Sequence, residues 1–99
     1  MRVEVLYVPG CPNFEPAVER VRKILHAQAV KDEIQTVPVT TATEAITLRF
    51  PGSPTIRVNG EDVESPPTLL AGLACRLYGG ATGIPSEEAV WRAVERAKE

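Results

Sequence analysis

Residues 2–8 read RVEVLYV, a β-branched and aromatic run that becomes apolar on both faces toward its end. Such a run fits a strand buried on both sides, at the centre of a sheet. It breaks at Pro9, Gly10, Cys11 and Pro12. From Phe14 onward, Ala17, Val18, Val21, Ile24 and Leu25 recur at helical spacing, with Glu15, Glu19, Arg20, Arg22 and Lys23 mostly on the other face. Asn13 is placed to cap this helix. Pro16 falls in its first turn, where a missing N–H costs little. Residues 33–39, EIQTVPV, form a second predicted strand, which Pro38 confines to a sheet edge because it cannot donate to a ladder. Strand, helix and strand in this order make a right-handed crossover between parallel strands. With 99 residues, the chain has about one domain in which to complete that sheet.

The remainder supplies what the sheet needs. Thr41 and Glu44 have the spacing of a capping box and open a short helix to about Phe50. Pro51, Gly52, Ser53 and Pro54 interrupt the chain before a third strand, TIRV, at 55–58. Asn59-Gly60 is a strong hairpin signal, and 61–64 return as a fourth strand. Residues 65–85 are an irregular insertion, Pro- and Gly-rich at both ends. Within it, LLAGLACRLY reads either as a helical turn (Leu69, Leu70, Leu73, Leu77) or as a short strand with Leu73, Cys75 and Leu77 on one face. Ser86 caps a last helix, with Glu87 and Glu88 in its first turn and Val90, Trp91 and Val94 on its buried face. The order is βαβαββα, a single α/β domain over 1–99 with a four-stranded mixed sheet flanked by helices.

A net charge of -2 with no block of like charges argues against a nucleic-acid partner. Glu4 interrupts any signal-peptide core, and no apolar run approaches the ~20 residues of a membrane span. A cytoplasmic, reducing setting is therefore expected. There, Cys11 and Cys75 are reactive, ligating or inert thiols rather than a structural staple.

Taken together, the chain resembles the thioredoxin-like family, in particular small bacterial thioredoxin- and glutaredoxin-like proteins. The likeness rests on a cysteine between the first strand and first helix (Gly10-Cys11-Pro12-Asn13-Phe14), on Ser53-Pro54-Thr55 just before the third strand, and on the Asn-Gly hairpin preceding a terminal helix. It covers most of the chain but not 65–85. The resemblance implies a cis peptide bond at Pro54 beside the catalytic cysteine. It also implies a groove in which Ser53, Pro54 and Thr55, with Pro12, contact substrate. The family's second cysteine, three residues after the first, is replaced by Phe14.

A thiolate, not a thiol, attacks a disulfide or binds a soft metal. The unpaired N–H groups and macrodipole of a helix amino end favour the anion, and Cys11 lies just before one. Pro12 fixes the loop without contributing an N–H. With no neighbouring thiol at position 14, a mixed disulfide on Cys11 has three exits: glutathione or another small thiol, a partner protein, or Cys75 if 65–85 folds back. Arg76, next to Cys75, offers a cation for a thiolate. Cys75 reads somewhat better as a small buried hydrophobe between Leu73 and Leu77 than as a redox partner. His26, the one histidine, reads as a surface residue.

The leading expectation is a thiol–disulfide oxidoreductase acting on protein or small-molecule thiols and disulfides. Cys11 is its nucleophile and Cys75 a candidate resolving thiol. No resident cofactor is expected beyond glutathione as co-reactant. The alternatives are a soft-metal protein with a two-sulfur site for Hg(II) or Cu(I), and a thioredoxin-like binding module without turnover.

Overall fold

In the computed structural model, residues 1–64, 72–74, 76, 78 and 83–98 are described. The chain runs β1 (Val3–Tyr7), α1 (Phe14–Ala27), β2 (Ile34–Pro38), α2 (Ala42–Thr47), β3 (Thr55–Val58), β4 (Glu61–Asp62) and α3 (Glu87–Ala97). The sheet order is β2-β1-β3-β4. β1 lies between β2 (parallel, Val3 opposite Ile34) and β3 (antiparallel, Val3 opposite Val58), which explains its doubly apolar sequence. β2 is an edge, as Pro38 requires. The β3–β4 hairpin turns on Asn59 (φ 53°) and Gly60 (φ 84°), the left-handed pair that suits a two-residue loop. This is an α/β architecture, a mixed four-stranded sheet flanked by helices.

The alternation of side chains splits the core. Val3 and Val5 of β1 and Ile56 and Val58 of β3 point to one face. There they meet Ala17, Val21, Ile24 and Leu25 of α1 and Val90, Ala93 and Val94 of α3. Leu6 points to the other face and packs with Val39, with Ala45 of α2 and with Phe50 from the turn that closes that helix.

Helix ends explain several boundaries. Thr41 caps α2, its hydroxyl accepting from the Glu44 N–H at 3.1 Å. α2 stops at Thr47, short of the expected Phe50, because Arg49 enters the left-handed region (φ 52°). The Arg49 N–H then returns to the Ile46 carbonyl and the Phe50 N–H to that of Ala45. This is a Schellman closure made without glycine. α1 ends the same way on Ala29 (φ 57°).

Other expectations need correction. Asn13 precedes α1 but makes no side-chain cap, since its near-helical backbone (φ -95°, ψ 1°) does not present the amide to the first-turn N–H groups. β4 ends at Asp62 instead of Glu64, because the Asp62 carboxylate accepts from the Glu64 N–H at 3.0 Å and turns the chain out. Trp91 is not a core anchor. It is 40% exposed, while Val90, Ala93 and Val94 form the buried stripe of α3. Among the described residues, no helix is long and apolar enough to cross a membrane.

Candidate functional site around Cys11

Cys11 is a free, half-buried cysteine in the loop from the carboxyl end of β1 to the start of α1. Two backbone turns shape that loop. The Cys11 N–H donates to the Val8 carbonyl (3.0 Å), and the Phe14 N–H donates to the Cys11 carbonyl (3.2 Å). Gly10 takes φ 88°, which lets the chain reverse directly after the strand. Pro12 is exposed beside the thiol. Among the described residues, no hydrogen bond reaches the Cys11 sulfur. At this end of α1 the Phe14 N–H is spent and Pro16 has none. The Glu15 amide is left without a partner among the described residues.

Phe14 takes the position at which the resemblance implies a second cysteine. Its ring stacks on Tyr7 with centroids 3.8 Å apart and planes 26° apart. That contact ties the first residue of α1 to the last of β1 and sets the loop's span. Tyr7 serves the loop in this way.

Ser53 and Pro54 lie against the same loop. The Ser53–Pro54 bond is cis, as the resemblance implied. The Val8 N–H donates to Ser53 Oγ at 2.9 Å, so Val8 joins Cys11 on one side and Ser53 on the other. Ser53, Pro54 and Thr55 do not line an open groove with their side chains. All three are buried, and Thr55 Oγ1 donates to the Gly52 carbonyl at 2.7 Å.

What covers them is the chain itself. The Ser53 N–H donates to the Ala74 carbonyl, and the Arg76 N–H donates to the Ser53 carbonyl, both at 2.9 Å. The Gly72 N–H donates to the Phe50 carbonyl at 3.1 Å. Gly52 permits this approach. Its φ is 143°, and a Cβ there would come within 2.9 Å of the Arg76 Cβ and 3.1 Å of the Ala74 carbonyl oxygen.

Arg76, the cation expected beside a thiolate, has its guanidinium engaged by a carboxylate. It is 5% exposed, and its guanidinium meets both Asp62 carboxylate oxygens (2.6 and 3.1 Å), Thr55 Oγ1 (3.2 Å) and the Glu64 carbonyl. It also lies over the Tyr78 ring, 4.3 Å from the centroid. Arg76 Nε alone among its nitrogens has no partner. Tyr78 donates its hydroxyl to the Pro54 carbonyl at 2.5 Å, and burial drives its ionisation well above the ordinary tyrosine range, the Arg76 cation offsetting part of the shift. Sequence reasoning missed this clamp, although an arginine inside LLAGLACRLY signals a buried charge in need of a carboxylate.

Cys75, and with it the choice between helical turn and strand for LLAGLACRLY, lies outside the described residues. Leu73 is exposed, and His26 is on the surface as expected. Among the described residues, no group of three or more His, Cys, Asp or Glu is placed to hold a metal ion. No family model, curated protein or solved structure compared with this chain matches it.

Proposed function

We propose that this chain is a thioredoxin-like thiol–disulfide exchange protein with Cys11 as its nucleophile. One observation carries the reading. A free, partly exposed thiol sits on a turn between a central strand and a helix start, with the Ser53–Pro54 segment bonded to the same turn through Val8. A helix start favours negative charge nearby, and a glycine-proline turn presents the sulfur without burying it.

The chemistry is a two-step exchange. The Cys11 thiolate attacks one sulfur of a disulfide R–S–S–R′. The Cys11–S–S–R bond forms, the S–S bond of the substrate breaks, and R′S⁻ leaves and takes up a proton. A second thiolate, R″S⁻, then attacks the R sulfur of the mixed disulfide, forms R–S–S–R″ and returns the Cys11 thiolate. A low-molecular-weight thiol such as glutathione supplies both electrons if it acts twice. If Cys75 attacks instead, a Cys11–Cys75 disulfide forms, and an external thiol must reduce it. With Phe14 packed on Tyr7, no thiol at position 14 takes this part.

The test is the rate at which the full chain reduces a glutathione mixed disulfide. Cys11→Ser is expected to fall to the uncatalysed rate. Cys75→Ser separates the two exits: trapped Cys11–glutathione adduct marks Cys75 as resolver, and unchanged turnover marks the small thiol. Equal rates for wild type and Cys11→Ser would remove the proposal.

A further inference from the structure

We infer that Cys11 serves low-molecular-weight disulfides and is closed to extended polypeptide, because the chain fills its own peptide-docking edge. This rests on the reading of Cys11 as nucleophile. An extended peptide brought to a sulfur atom is held by main-chain hydrogen bonds to a free backbone donor and acceptor, the strand-addition mode of recognition. The backbone pair nearest the Cys11 loop by bonding is that of Ser53, since Val8 links the two directly. Both members are taken, the N–H by the Ala74 carbonyl and the C=O by the Arg76 N–H. The other edge at this end of the sheet offers no substitute. β2 runs parallel to β1 and ends there at Pro38, opposite Tyr7, and proline has no N–H to give.

The occupant is fastened. Arg76 is locked to Asp62 and Thr55, Tyr78 to the Pro54 carbonyl, and Gly52 leaves no space between the two backbones. A peptide would have to displace two backbone hydrogen bonds and a buried ion pair to reach Ser53. A small disulfide needs only the sulfur itself, which is partly exposed beside Pro12.

Two probes with the same leaving thiol test this on the full chain: the mixed disulfide of N-acetylcysteine with 2-mercaptoethanol, and the same disulfide set within an extended peptide. In each reaction the Cys11 sulfur bonds to the probe's cysteine sulfur, Cys11 is oxidised to the disulfide level, and 2-mercaptoethanol leaves reduced. Site-resolved mass spectrometry reads the adduct at Cys11. Amide exchange reads the Ser53 and Arg76 N–H groups. Wild type is expected to react about tenfold or more faster with the small probe, with both amides protected. Gly52→Ala is expected to expose the amides and narrow the ratio by raising the peptide rate. If that variant does not fold, Tyr78→Phe, which frees the covering segment from the Pro54 carbonyl, serves the same purpose. Equal wild-type rates for the two probes, or freely exchanging Ser53 and Arg76 amides, would overturn the inference while leaving the nucleophile intact. Reaction with neither probe, with the amides protected, would overturn the nucleophile and the inference with it.

Discussion

The two faces of the sheet are built on different physics. Beneath α1 and α3, Val3, Val5, Ile56 and Val58 meet helix side chains that carry no polar atoms, and the fold there is held by area removed from water. On the opposite face the apolar patch of Leu6, Val39, Ala45 and Phe50 is small. The rest is polar: Thr55 and Asp62 bind Arg76, and the Arg57 guanidinium reaches the Leu48 carbonyl (2.8 Å) and the Arg49 carbonyl (3.1 Å) at the end of α2. An apolar face tolerates small changes of volume. A buried charge network tolerates little, because each removed partner leaves another group stranded. The segment covering Ser53 is held by the second kind of force.

Denaturant unfolding of Arg76→Ala breaks this contrast most severely. Asp62 would be left as a largely buried, unpaired carboxylate, and the expected loss is about 3–5 kcal/mol. Replacing both charges, Arg76→Met with Asp62→Leu, is expected to recover most of that loss. A single variant no less stable than wild type would show that the network does not hold this face.

Tyr78→Phe strands the Pro54 carbonyl and is expected to cost about 1–3 kcal/mol. It also has a pH signature. The folded phenol ionises above its ordinary value of 10.0, so its contribution is complete below pH 10 and is lost as the pH rises beyond it. Unfolding free energies measured upward from pH 9 should therefore fall more steeply in wild type than in Tyr78→Phe.

On the apolar face, Ile56→Val is expected to cost about 0.5–1.5 kcal/mol, well below Arg76→Ala. A larger loss than Arg76→Ala would reverse the contrast.

The smallest effect concerns Glu44. The hydroxyl of Thr40, joined by that of Thr41, holds its carboxyl below the ordinary 4.5. Its folded pKa is lowered, so its contribution is present above pH 4.5 and is lost as the pH falls through the folded value. Glu44→Gln should flatten the acid limb of the stability curve slightly, and an unchanged limb would dismiss this contact.

The contrast also explains what the sequence makes legible. Periodicity identifies β1, α1 and α3, because one-sided or two-sided burial writes itself into local spacing. Pro38 places β2 at an edge, Asn59-Gly60 sets the hairpin, and Thr41 with Glu44 sets a helix start, since each acts through its own backbone. Helix ends at Ala29 and Arg49 were hidden because neither is the glycine that normally marks a left-handed cap. Of the site, Cys11 and the Ser53-Pro54 turn stand out as local punctuation. The cover over Ser53 does not, because the Ala74 and Arg76 backbone bonds and the Asp62 pair join residues distant in sequence, and no local pattern encodes such pairings.

The nucleophile itself is best tested by exposing the native chain to glutathione disulfide and mapping the adduct by mass. The expected result is one glutathione on Cys11 while the protein keeps its folded signal. A Cys11 that stays unmodified in the folded state, and takes glutathione only after denaturation, would contradict it.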